Sequence, residues 1–329
     1  MRKIITFFAL AIVVAIAAAA GFGWWVVYDD RRLPVSPVTV EVAPGETVDD
    51  IAAQLGASGV VSWPQALSLY LRARKLTTRI QAADYDFPAH ATVAQVADVL
   101  AAGGRPAEVW VTIPEGFTAA QIAARLLRRG LDASAEFMTV VHTTDLTVGP
   151  WRSHGLEGFL YPDTYLVPRH GSATQVAGLM TAEFEKNLPA HAVELARHLG
   201  YSIPQIVTIA SMIEREAKVD AERPVIAGVI YNRLRIGMPL EIDATIEYAL
   251  PQHKQVLSFH DLAVDSPYNT YRHRGLPPTP IANPGKRSLL AAFHPASVPY
   301  LYYVYRGNGR HEFSRTLEEQ QAAERRFLH

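Results

Sequence analysis

The sequence predicts an α+β protein: a single N-terminal transmembrane helix, small strand-turn-helix modules, and a larger α+β unit organised around a helix that carries two glutamates. Three observations predict it. An uncharged, mostly apolar run from Ile4 to Val27 is long enough to cross a bilayer as one helix. A strand-turn-helix pattern occurs twice in the first half, with an offset of 71 residues from Val40 to Val111. In the second half, apolar runs at helical spacing alternate with polar, aromatic, proline-stiffened stretches.

The anchor comes first. Arg2 and Lys3 precede the apolar run, and Trp24, Trp25 and Tyr28 close it, so the charge bias and the aromatic belt predict a cytoplasmic N-terminus with the rest of the chain outside. The expected location is therefore the cell membrane, single-pass, with the larger part outside the cytoplasm. A cleaved signal peptide is the competing reading, since Ala17 to Gly21 offers small residues to a peptidase. The length of the run favours the uncleaved anchor.

The two repeat copies align without gaps. Val40-Glu41-Val42-Ala43-Pro44-Gly45-Glu46-Thr47 and Ile51-Ala52-Ala53-Gln54-Leu55 match Val111-Thr112-Ile113-Pro114-Glu115-Gly116-Phe117-Thr118 and Ile122-Ala123-Ala124-Arg125-Leu126. Each copy alternates like a strand, turns at Gly45 or Gly116, caps a helix with Thr47 or Thr118, and ends near Gly59 or Gly130. Between them, Asp84 to Phe87 predicts a short strand and Thr92 to Leu100 a capped helix. The first copy resembles a LysM module, through Val-x-Val-x-x-Gly-x-Thr and Ile-Ala-x-x-Leu. That resemblance implies an association with glycans built on N-acetylglucosamine, and a pure spacer role stays open beside it. The expected organisation is a cytoplasmic stub and anchor over 1–32, a LysM-like module over 36–106, a second related module over 107–155 packed on the catalytic part, and a catalytic domain over 156–329.

The glutamate-bearing helix reads PQIVTIASMIEREAK over 204–218. At about 100° per residue, Ile206, Ile209, Ala210, Ile213 and Ala217 share one face. Arg215 then points nearly opposite, Glu214 lies on one flank, and Glu216 lies about 80° from Ile206 on the other, close to Ile209 and Met212. A carboxyl held against apolar side chains loses hydration of its charged form, so it can stay protonated near neutral pH and serve as a general acid. The plain alternative is a solvated pair of surface glutamates, with Glu214 bridging to Lys218.

Val225 to Gly237 predicts a second helix, stopped by Gly237, beside the first. The stretches 240–248, 266–271 and 275–285 read as polar, aromatic loops. Asn232, Asp243, Thr245, Tyr268, Asn269 and Tyr271 are candidate sugar contacts, because amides and hydroxyls pair with acetamido and hydroxyl groups while the tyrosines offer ring faces. Asp243 is also the second carboxylate, with a loop cap made with Thr245 as its alternative role. Tyr300 to Tyr305 predicts a strand that turns at Gly307-Asn308-Gly309 into a hairpin with His311 to Ser314, and the tail from Leu317 reads as a helix.

Several segments together resemble the YceG/MltG-type endolytic murein transglycosylases: ASMIERE (210–216), VIYNRLRIGMPLEIDAT (229–245), SPYNTYRHRGLPPTPIANPG (266–285), HPASVPYLYYV (294–304) and Gly309 to Ser314. The resemblance implies cleavage of peptidoglycan strands between N-acetylmuramic acid and N-acetylglucosamine, leaving a 1,6-anhydromuramic end. It also implies a catalytic glutamate on the ASMIERE helix and association with peptidoglycan synthases. Helical phase selects Glu216, with Glu214 as the alternative. The Arg-Gln-Glu-Ser helix of lysozyme-like transglycosylases is similar in spacing.

Other chemistries lack their residues. No cysteine is present, so thiol nucleophiles and cysteine metal sites are excluded. There is no His-Glu-x-x-His, no Gly-x-Ser-x-Gly, no phosphate loop and no dinucleotide fingerprint, and no metal or cofactor is expected. His294 and His311 read as structural or cleft hydrogen-bonders. A net charge of −1 gives no footprint for nucleic acid. Two other functions remain open: a hydrolytic muramidase using Glu216 and Asp243, and a non-catalytic cell-wall-binding scaffold.

Overall fold

Residues 2–28, 36–43, 45–250, 254 and 257–327 are described by a computed structural model. Met1, residues 29–32 of the anchor segment, Pro44 of the first turn and the last two residues of the tail lie outside the described residues. The chain folds as two compact units, Met1–Glu108 and Val109–His329.

The first unit begins with helix α1 (Arg2–Tyr28), whose segment Leu10–Tyr28 has a mean hydropathy of 2.3. At 1.5 Å per residue α1 is roughly 40 Å long, enough to cross the hydrocarbon core of a bilayer. Near its end the rings of Trp24 and Tyr28 meet at 4.4 Å.

Strand β1 (Val38–Val42), helices α2 (Val48–Ala57) and α3 (Pro64–Ala73), strand β2 (Ala83–Phe87), helix α4 (Val93–Ala102) and the short strand β3 (Arg105–Pro106) come next. The sheet order is β1-β2-β3, antiparallel. Helix α1 packs on α3 and α4, and Val26 is buried. Register explains the core: Val40 opposes Tyr85 and Val42 opposes Ala83, and all four side chains are buried on the helix-covered face. Thr47 and Thr92 each form a full capping box, so both predicted helix starts are local in origin.

The second unit opens with the second repeat copy, strand β4 (Glu108–Thr112) and helix α5 (Ala119–Arg128). Here the repeat holds residue by residue. Thr118 caps α5 as Thr47 caps α2, and Ile122 and Leu126 are buried as Ile51 and Leu55 are. Gly59 and Gly130 both adopt left-handed φ, and the following Val60 and Leu131 both donate an N–H back to Leu55 and Leu126. The partners differ: β1 pairs with β2, whereas β4 pairs with β7 (Thr164–Pro168).

Between them lie helix α6 (Phe137–Thr143) and the hairpin of β5 (Asp145–Val148) and β6 (Trp151–His154). Helix α7 (Ala173–Asn187) closes a core that joins Val111, Ile122 and Phe137 to Leu160, Val167 and Met180.

Beyond α7 lie helices α8 (Ala192–Leu199), α9 (Ile203–Glu216), α10 (Arg223–Arg235), α11 (Asp243–Ala249), α12 (Phe259–Leu262) and α13 (Lys286–Phe293). The chain then forms the hairpin β8 (Tyr302–Tyr305) and β9 (His311–Ser314), and helix α14 (Leu317–Phe327). Helix α9 is the predicted glutamate helix. It starts earlier than Pro204, because Ser202 and Gln205 form a capping box around Pro204.

Two sequence expectations need correction. Residues 240–248 are not all loop: α11 begins at Asp243, and its Ala244, Thr245 and Ile246 are buried. A helix of seven residues is not stable alone, so packing against α9 supports it. The apolar stripe of α9 is also wider than one face. Val207 and Met212 are buried along with Ile206, Ile209 and Ile213, because α10 and α13 both pack on it.

Candidate active site

Helix α9 delivers two carboxylates in its last turn, and the tertiary structure gives them unlike neighbours. Glu214, whose side chain is 6% exposed, accepts from Arg223 Nη1 at 3.2 Å and from the Gly285 N–H at 3.0 Å. Arg223 also bonds Asp220 and Ser288, so Glu214 ties α9 to the starts of α10 and α13. The bridge to Lys218 open to Glu214 from sequence is replaced by this one.

Glu216 is half-buried at the end of α9. Among the described residues one hydrogen bond reaches it, from the Tyr303 hydroxyl to Oε2 at 3.1 Å. Burial pushes its carboxyl up to about 7, the Tyr303 bond pulls it down, and the charge of Asp243 pushes it up again. Lys218 and Glu247 act more weakly, in opposite directions. The negative end of the helix dipole also disfavours charge there.

Asp243 is the first residue of α11, and its Oδ1 accepts from the Tyr271 hydroxyl at 2.5 Å. It makes no cap with Thr245. Burial, and then Asp243, raise the Tyr271 phenol, so it stays a neutral donor. Glu216, Asp243, Tyr271 and Tyr303 thus lie within electrostatic reach of one another.

The other predicted contacts are engaged in holding the frame. Asn232 Nδ2 donates to the carbonyls of Val298 and Tyr300, and its Oδ1 accepts from Arg235. Asn269 is fully buried, donating to Leu262 and Val264 carbonyls while accepting the Tyr271 N–H. Thr245 is fully buried, bonded to the Ile242 carbonyl and the Thr270 hydroxyl. The Tyr268 hydroxyl pairs with Thr279 at 2.6 Å, and its ring tilts on Tyr248. His311 is buried and paired with Glu222 at 2.8 Å, in keeping with a structural part.

Sequence reasoning missed three residues that shape the site. Arg233 donates to the carbonyls of Leu301, Pro239 and Leu240 and to Glu241, pinning β8 and the approach to α11 onto α10. Glu157 is a half-buried carboxylate pushed up to about 7 by desolvation although it accepts from the Ala119 N–H, Tyr248 and Asn283. Tyr303 sits among four tyrosines between 300 and 305, and its contact to Glu216 spans 87 residues of sequence. A cavity of about 550 Å³ lies beside α11, against Glu157, Arg215, Glu247 and Tyr248.

The chain that carries this site has relatives. The model of the YceG-like family matches residues 40–326. The chain belongs to the YceG-like family. A Bacillus subtilis protein named endolytic murein transglycosylase is 31% identical over 309 residues, covering 88% of this chain and 85% of the relative. A Streptococcus pneumoniae protein of the same name is 28% identical over 350 residues, covering 93% of this chain, which spans 63% of that longer relative's length. The crystal structure of a yceG-like protein from Listeria monocytogenes, 32% identical, aligns with a TM-score of 0.56 over 87% of this chain and 98% of the other.

Proposed function

We propose that this chain is a membrane-anchored endolytic murein transglycosylase that cuts peptidoglycan strands between N-acetylmuramic acid and N-acetylglucosamine. The observation that carries the proposal is the setting of Glu216, a carboxyl raised to about 7 and facing Asp243, in a chain of the YceG-like family. Glu216 gives its proton to the glycosidic oxygen as the C1–O bond breaks and positive charge grows on the muramic ring. The carboxylate so formed then takes the proton of the same sugar's C6 hydroxyl as that oxygen bonds to C1. No water is consumed, and the product end is 1,6-anhydromuramic acid.

Asp243, held by Tyr271, stabilises the charge that develops on the ring. Asn232, Thr245, Tyr268 and Asn269 support the substrate groove, through the loops they fasten. The unit with β1, α2, α3 and β2 serves as a LysM-like glycan-holding module; the antiparallel pairing of β1 with β2 around two helices supports that reading. The N-terminus is cytoplasmic and the second unit outside the cytoplasm, supported by Arg2 and Lys3 ahead of the apolar run. Peptidoglycan synthases are its natural neighbours, since they make the strands it would cut.

Mass spectrometry of purified glycan strands after incubation with the full-length protein tests the proposal. Anhydromuramic ends that disappear with Glu216→Gln are expected. Reducing muramic ends would instead establish a hydrolase, and intact strands a scaffold.

A further inference from the structure

The Tyr303 hydroxyl donates to Glu216 Oε2 at 3.1 Å, and among the described residues no donor is bonded to Oε1. One oxygen of the carboxyl is therefore tethered and the other is open. The surroundings of the ring make the tether rigid. Tyr303 meets His311 edge-on at 5.4 Å and Phe313 at 6.1 Å. His311 is itself fixed by Glu222, which accepts from both its ring Nδ1 and its backbone N–H. The Tyr303 carbonyl accepts from Gln320 of α14, and Tyr303 is paired with Phe313 across the hairpin.

We infer that Tyr303 is a positioning residue for Glu216, holding Oε2 so that Oε1 faces the glycosidic oxygen and setting how readily the acid releases its proton. The inference rests on Glu216 being the acid of the proposed reaction. Burial, and then the Glu216 charge, hold the Tyr303 phenol well above its ordinary value, so the hydroxyl stays protonated and remains a donor.

The other groups facing the pair have different tasks. Asp243 and Glu247 come from α11, Tyr271 from the turn after Asn269, and Lys218 from the end of α9, and all act on Glu216 through space. Arg233 of α10 faces Tyr303 but spends its donors on carbonyls and Glu241. Tyr303 alone, among the described residues, bonds the acid, so it alone can orient it.

Two changes at this position pull in opposite directions. Tyr303→Phe keeps the ring contacts and deletes the donor; 3-fluorotyrosine at 303 keeps the donor and makes it more acidic. Both are to be placed in the full-length protein in lipid nanodiscs and followed by carbon-13 NMR of labelled glutamate carboxyls, with the Glu216 signal identified by its loss in Glu216→Gln. Glycan cleavage is measured against pH in parallel.

In Tyr303→Phe the Glu216 midpoint should rise by about one pH unit, since a bond to a charged group has been lost. With fluorotyrosine it should fall. The alkaline limb of cleavage should move with it, and kcat for Tyr303→Phe should drop at least about tenfold with KM within about twofold. A midpoint that stays put in both proteins overturns the inference whatever the activity. If wild type cuts no glycan, the proposed function fails, and a moving midpoint still upholds the Tyr303–Glu216 bond as the control of that carboxyl.

Discussion

Glu214 and Glu216 stand two residues apart at the end of α9 and meet opposite surroundings: Glu214 is salt-bridged to Arg223 and bonded to the Gly285 N–H, while Glu216 meets one phenol and the negative charge of Asp243. A helical offset of two residues turns the side chain through about 200°, so neighbours in sequence serve different elements.

Substitution should separate the two. Glu216→Gln removes the proton donor and should lower glycan cleavage by at least about a thousandfold, with the fold intact. Glu214→Gln removes the buried carboxylate from Arg223, whose side chain is 10% exposed and keeps Asp220 and Ser288, and should cost about 2 kcal/mol in stability. Cleavage assays alongside urea unfolding check the contrast, and the reverse pattern would make Glu214 the acid.

The pH dependence comes from Glu216 as well. Its folded-state value of about 7 lies above the usual 4.5, so its contribution to stability is full below about 4.5 and is lost as pH rises through 7. Cleavage needs the protonated acid and should fall about tenfold per pH unit above 7. Because glutamine mimics the protonated form, Glu216→Gln should match wild type in stability at about pH 4 and exceed it at about pH 8. Thermal unfolding at the two pH values measures this.

Asn283 bridges three segments: its Oδ1 accepts from Leu160 N–H, and its Nδ2 donates to the Phe117 carbonyl and to Glu157. It is fully buried. Asn283→Leu strands several polar groups at once and should destabilise the second unit by about 3 kcal/mol or more. Hydrogen exchange at Leu160 and Ala119 should rise first.

Gly158 adopts φ +88, and a Cβ there would lie 2.4 Å from Pro280 and 3.0 Å from Val207. Gly158→Ala combines left-handed strain with overpacking, and a loss of about 2–4 kcal/mol is expected in urea unfolding.

Much of this protein was local enough to be read directly. The apolar run, the two Thr-capped repeat helices, the Gly59 and Gly130 stops and the 302–314 hairpin depend on contacts within a few residues, and those are written in spacing and turn chemistry. Helical phase also placed Glu216 beside the apolar stripe. What phase could not supply was the partner of each acid. Arg223, Gly285, Tyr303 and Asp243 reach α9 from other elements, and the short helix α11 leans on packing against α9. Sequence by itself determined the apolar helix, the repeat helices, the last hairpin and the pair of candidate acids; tertiary structure decided which acid is paired and which is left near 7, because desolvation and charge are summed over neighbours in space and not along the chain.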